Sequence, residues 1–341
     1  MPLHDVLIIG GGPAGLATAI AARQFGLDYL VVEQGTLVEA IYRFPVHMVF
    51  FTTPELLEIG SLPLTTPYEK PTRLEALRYY RKVADTYQLR VVLHETVTAI
   101  EPDTAPDGEE APVFAVTSHP ASGGTRVRQA RAVVLAMGYY GLPNRLGVDG
   151  EDLPHVSHYY QEAHPYYRRR VVIVGGKNSA CEAALELYRA GAHVTLVHRG
   201  PALGDSVKYW VKPDVENRIR EGAIAARFGT RLTRITPGEV YVTAASPEGS
   251  GASDGDEAIT ADAVLLLTGY HADASFLSRA GVEIDPETLV PRHDAATFET
   301  NVPNLFIAGG QLAGRRTGSI FIENGRFHGE QIARVLAARL G

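Results

Sequence analysis

An α/β protein with two parallel-sheet domains, one inserted into the other, is what this 341-residue sequence predicts. Three observations carry the prediction. The apolar run Val6-Leu7-Ile8-Ile9 ends in Gly10-Gly11-Gly12-Pro13-Ala14-Gly15, as a buried strand turning into a helix does. The plan recurs where Val171-Val172-Ile173-Val174 runs into Gly175-Gly176. A third strand-into-glycine run at 302–310 and a terminal helical stretch at 320–340 have no counterpart in the second cycle. The tail is therefore expected to return and complete the first domain, giving two Rossmann-like dinucleotide-binding domains over 1–148 with 270–341 and over 153–268. The chain is expected to cross between them near 143–153 and 268–272.

In the first cycle, helix formers at 14–26 lead to a second apolar run, Tyr29-Leu30-Val31-Val32-Glu33, closed by an acid. A polar helix at 73–87 precedes strand-like runs at 91–100, 113–117 and 126–137, read as a β-meander with loops at 103–112 and 120–124. In the second cycle a helix at 179–191 leads to a strand at 193–197, closed by His198-Arg199. Strands at 225–236 and 240–245, a Gly/Ser/Asp-rich loop at 246–257 and an apolar strand at 263–269 follow.

Composition narrows the function. Apolar residues make up 45% and charged residues 21%, enough to bury sizeable cores and contrary to disorder. The net charge of −7 and the lack of a basic cluster argue against nucleic acid as a partner. The single cysteine, Cys181, allows no intramolecular disulfide, no CxxC pair and no thiolate metal cluster, and fits a reducing cytoplasm. The apolar stretch at 6–22 carries Gly10-Gly11-Gly12-Pro13 in its middle and no lysine or arginine before it, so it belongs to the fold and not to a signal; no membrane span is expected.

The first turn satisfies GxGxxG. Gly10 permits the tight turn, Gly12 lets a pyrophosphate approach the backbone, and Gly15 allows close helix packing, with the helix N-terminus facing the phosphates. Glu33 lies 23 positions after Gly10, close to the spacing of about 20 at which an acid accepts from a ribose diol. The second turn departs from the pattern, because Lys177 occupies the middle glycine position; its ammonium either contacts phosphate or points to solvent. Arg199 stands 24 positions after Gly175, where an acid would repel a 2′-phosphate and a guanidinium suits one; the alternative is a solvated strand-end arginine. The reading is FAD in the first domain and NADPH in the second, the protein aligning nicotinamide with flavin.

At this point the whole chain resembles two-domain flavoproteins related to thioredoxin reductase, and more narrowly the bacillithiol disulfide reductases. The narrower resemblance rests on the turn at 175–180, on Ser206-Val207-Lys208-Tyr209-Trp210-Val211-Lys212-Pro213-Asp214 running on to Ile219, and on the stretch at 320–329. It implies FAD held by Gly10, Gly12, Pro13, Ala14, Gly15, Glu33, Gln34, Tyr42, Val97, Gly138, Gly309, Gly310 and Ile320. It implies NADPH held by Gly176, Lys177, Asn178, Ser179, His198, Arg199 and Lys208. A homo-oligomer and a small disulfide or small redox protein as electron acceptor are implied in the same way.

Three departures constrain the chemistry. Where thioredoxin reductases carry CxxC this chain has His158-Tyr159-Tyr160-Gln161, which excludes their dithiol relay. Ala14 stands where many bacillithiol-type members place a cysteine, and Gly310 where relatives have an acid. Cys181 reads as helix packing in preference to an activated thiol, and the tyrosines at 159–160 and 166–167 as packing near the crossing. His328 reads either as a packed helix histidine or as a proton donor to a leaving thiolate. The expected function is NADPH-dependent, flavin-mediated reduction of a small disulfide. Electron transfer to a protein such as ferredoxin and a non-enzymatic redox sensor are the alternatives. Monooxygenation ranks below them: Gly141-Leu142-Pro143-Asn144 is similar to part of the flavin monooxygenases, whose FxGxxxHxxx[WP] fingerprint is absent.

Overall fold

A strand that is apolar on both faces needs a sheet covered on both sides, and β1 (Leu3–Ile9) is one: Val6, Leu7, Ile8 and Ile9 are all buried. The computed structural model describes residues 3–104, 113–245 and 256–340. They form two compact units, residues 1–142 with 270–341 and residues 143–269.

In the first unit β1 leads through the glycine turn to α1 (Pro13–Gln24), which has proline at its start, where the missing N–H costs nothing. Next come β2 (Tyr29–Val32), α2 (Glu39–Tyr42) and α3 (Arg73–Thr86), the last opened by a capping box between Thr72 and Glu75. The strands β3 (Val91–Val92), β4 (Glu95–Asp103), β5 (Val113–Pro120) and β6 (Arg126–Leu135) follow. They make a sheet of order β3-β2-β1-β6-β5-β4, parallel from β3 to β6 and antiparallel through β5 and β4.

The second unit holds β7 (Val156–Ser157), β8 (Arg170–Val174), α4 (Asn178–Arg189), β9 (His193–His198), α5 (Lys212–Arg220) and β10 (Ala225–Phe228). An antiparallel sheet of β11 (Thr230–Ile235), β12 (Glu239–Ala244) and β13 (Glu257–Thr260) leads to β14 (Ala263–Leu266). The main sheet, β10-β9-β8-β14-β7, is parallel throughout.

The chain then returns to the first unit with α6 (Ala274–Arg279), β15 (Leu305–Ile307), α7 (Ile322–Gly325) and α8 (His328–Leu340). β15 pairs in parallel with β6. α8 lies close on α1: Ile332 and Leu336 share a core with Ala19 and Ala22, and a side chain at Gly329 would come within 2.5 Å of the Thr18 amide.

Several elements differ from the sequence reading. The run at 91–100 is two strands, broken at His94 in a left-handed conformation, as the chain leaves the parallel layer for the meander. The run at 225–236 is likewise split at Gly229, between the parallel sheet and the antiparallel one. The terminal helical stretch is α7 and α8 with a break at Arg326 and Phe327. Residues 143–148, assigned to the first domain from sequence, pack in the second unit: the Asn144 amide donates to Gly269 O, and the Leu146 and Gly147 amides donate to Glu151. Of the loops assigned to 103–112 and 246–257, residues 105–112 and 246–255 lie outside the described residues, while Asp103 ends β4 and Glu257 opens β13. No helix among the described residues is long and apolar enough to cross a membrane.

Candidate functional site

Register decides where the glycines of the first unit meet. Ile9 of β1 pairs with Leu135 of β6, and Leu135 pairs with Ile307 of β15, so three parallel strands end at one level. Gly10, Gly138 and Gly309 follow those ends, the position at which open α/β sheets take ligands.

The glycines there have different reasons. Gly10 has φ of 110°, and a Cβ on it would lie 2.5 Å from Ala136 O; a Cβ on Gly15 would overlap Gly10 O. Both are demanded by the protein's own packing. Gly12 has ordinary extended backbone, and a Cβ there would meet no protein atom within 4 Å. The same holds for the space beside Gly138. Nothing in the fold requires a glycine for room at Gly12, so a group outside the protein is what the open backbone can serve.

Glu33, at the end of β2, is only 5% exposed. Its carboxylate accepts from the Gly11 amide at 2.6 Å and from the Gly35 amide at 2.8 Å. Burial raises its pKa above the ordinary range, against the backbone donors of Gly35 and Gly11. One contact thus ties the acid to the glycine turn.

Ala14 and Gly309 are close neighbours: a Cβ on Gly309 would come 2.8 Å from the Ala14 methyl. A Cβ on Gly310 would lie 2.7 Å from the Tyr139 ring, so the side-chain place at Gly310 is filled by tyrosine. Sequence reasoning missed Tyr139, since only the fold brings it onto Gly310. Of the other residues expected at this site, Pro13 opens α1, Val97 and Ile320 are half-buried against the sheet core, and Gln34 is exposed. Tyr42 is also exposed, with the Arg73 guanidinium 5.4 Å from its ring centroid.

His328 does not suit the proton-donor reading. Its Nδ1 accepts the Gly309 amide at 3.1 Å, and its ring stacks on Phe298 at 4.2 Å. Burial, with a smaller effect of His293, pushes its pKa down to about 4, so it is neutral at pH 7 and holds Gly309 in place. The unfolded chain takes up this proton near pH 6.5 and the folded chain only near 4, so stability from neutral His328 is complete above 6.5 and lost as pH falls through 4. Urea unfolding should show the wild type losing about 3 kcal/mol more than His328→Asn between pH 7 and pH 4. Equal losses would remove His328 as the cause.

In the second unit Val174 of β8 pairs with Val197 of β9 and with Leu266 of β14, which brings Gly175, His198 and Leu267 together. The His198 ring covers Gly176, within 2.5 Å of where a Cβ would stand. Gly176 is therefore glycine to admit histidine. Burial, then the charges of Arg199 and Lys177, lowers the His198 pKa. Lys177, Ser179 and Arg199 are exposed at this edge. Asn178 spends its amide differently: Nδ2 donates to Ser206 O at 3.1 Å, and Oδ1 accepts the Lys208 amide at 2.9 Å. It fastens the 206–208 loop beside the turn. Cys181 is fully buried, and burial with the neighbouring Glu182 pushes its thiol up to about 12, which settles it as core packing.

Comparison with known proteins places these features in context. Residues 7–309 match the family described as pyridine nucleotide-disulphide oxidoreductase. Bacilliredoxin reductase Bdr of Bacillus subtilis (strain 168) is 42% identical over 336 residues, covering 98% of each chain. The solved structure of bacillithiol disulfide reductase Bdr from Bacillus cereus superposes with a TM-score of 0.91 at 42% identity, over 99% of this chain and 100% of that one. That from Staphylococcus aureus gives 0.90 at 38% identity, over the whole of both chains.

Proposed function

The chain belongs to the pyridine nucleotide-disulphide oxidoreductase family, and from that premise we propose that it is an NADPH-dependent FAD enzyme reducing bacillithiol disulfide without a protein dithiol. The buried state of Cys181, the single cysteine of the chain, carries the last clause: no thiol of this protein is placed to take part. The relatives named for bacillithiol disulfide reduction support the substrate.

FAD fits the first unit. The backbone at Gly12 and Gly138 leaves room for it, the start of α1 offers amide donors to its pyrophosphate, and Glu33 keeps acceptor capacity for its ribose diol beyond the two amides it already receives. Bound FAD supplies the two-electron step between nicotinamide and disulfide. His328 fixes Gly309 against the site, and Tyr139 fills the side-chain place at Gly310. In the second unit Lys177, Ser179, His198, Arg199 and Lys208 surround the place assigned to NADPH, with Arg199 on the 2′-phosphate and Asn178 holding the loop. The balance is NADPH plus one proton plus the disulfide, giving NADP⁺ and two thiols. With His328 neutral, no side chain is assigned as the acid, and the proton comes from solvent.

An anaerobic two-step experiment tests this. One equivalent of NADPH should bleach the flavin band, and bacillithiol disulfide should restore it with release of two thiols. A band that stays bleached would sink the disulfide as acceptor.

A further inference from the structure

Among the described residues with positive φ, Val38 alone is β-branched, at 53°. A branched side chain makes that conformation costly, and it persists only where the surroundings over-determine it. They do so here. The Val38 side chain is fully buried, in one core with Leu16 of α1 and Ile41 of α2. Its carbonyl accepts the Ile41 and Tyr42 amides at 2.9 and 3.1 Å, and its own amide donates to Gly11 O at 3.1 Å. Gly11, itself buried, is therefore held from both sides: Glu33 accepts its N–H, and Val38 donates to its carbonyl.

The consequence falls on the next residue. A trans peptide points its C=O and its N–H in opposite directions. With the Gly11 carbonyl turned to Val38, the Gly12 N–H points away from it, and among the described residues that N–H donates to nothing. It belongs to the half-buried glycine whose side-chain place is open to 4 Å. A backbone donor fixed in direction and left without a protein acceptor suits an anion.

We propose that Val38 is a positioning residue for the flavin: its left-handed backbone holds the Gly11 carbonyl and so aims the Gly12 amide at the FAD pyrophosphate. This deepens the FAD assignment above and rests on it. It puts part of phosphate recognition on a residue outside the glycine turn, through a donor that is oriented before the cofactor arrives.

Two variants of the whole protein, each loaded with FAD, test this. The first carries the α-hydroxy acid counterpart of valine at position 38, which turns the amide N–H into an ester oxygen and keeps the side chain. The second, Val38→Gly, keeps the N–H, takes positive φ freely and gives up the buried side chain. Both should unfold at lower urea than wild type. Dilution of the loaded protein, with flavin emission rising on release, gives FAD affinity. The ester should weaken it roughly 3- to 10-fold, the worth of one hydrogen bond, and shift the phosphorus resonances of bound FAD. Val38→Gly should match wild type in both. An ester variant that loses stability but keeps wild-type affinity and resonances would make Val38 merely structural and leave the FAD assignment standing. Equal weakening by Val38→Gly would move the effect to the side chain and overturn the proposal. A wild type that holds no FAD would defeat the FAD assignment itself.

Discussion

Replacing Gly12 by aspartate is expected to strip the flavin from this protein while leaving its fold intact. The position is the N-cap of α1, has extended backbone with φ of −77°, and would give a new side chain open space to 4 Å. Aspartate is among the best N-cap residues, so the flavin-free fold should be as stable as wild type or a few tenths of a kcal/mol more so. The same side chain would fill the approach to the backbone and set a carboxylate against the pyrophosphate. Flavin affinity should fall at least ~100-fold, about 3 kcal/mol, the scale of burying like charges together. The ratio of flavin to protein absorbance reads the first effect, and urea unfolding of flavin-free protein reads the second. Gly15→Ala is the contrasting control. Its methyl would overlap Gly10 O, so it should cost the flavin-free fold on the order of 3 kcal/mol through displacement of α1 from β1. If Gly12→Asp retained flavin, the ends of β1, β6 and β15 would not be the flavin site.

The second large effect concerns the nicotinamide cofactor. Arg199→Ala should raise KM for NADPH by roughly 10- to 150-fold, as loss of a charge-assisted contact of about 1.5–3 kcal/mol implies, and leave KM for NADH within about twofold. Arg199 is exposed beside His198 at the end of β9, so its removal disturbs no core. Steady-state kinetics with both cofactors gives the answer. A proportional loss with NADH would show that Arg199 serves something other than the 2′-phosphate.

Local sequence is enough to read the strand-turn-helix units and the chemistry at their ends. Those are local properties: a buried apolar run, a glycine where a side chain would strike backbone, and an acid or arginine closing the next strand. Gly10, Gly15, Glu33 and Arg199 could be named because their spacing along one chain segment sets their place. The doubling of that pattern was enough to announce two dinucleotide-type domains, and the lone cysteine was enough to exclude a dithiol relay.

The remaining features depend on residues far apart in the chain. Register across β1, β6 and β15 brings Gly309 to Gly10, and no local signal marks that pairing. Tyr139 closes the place at Gly310, His328 turns out to be a half-buried acceptor for Gly309, and the His198 ring explains Gly176. Asn178 clasps a loop that begins 28 residues later. In each case the role is set by which partner fills the space or completes the hydrogen bond, and packing between distant segments supplies that partner.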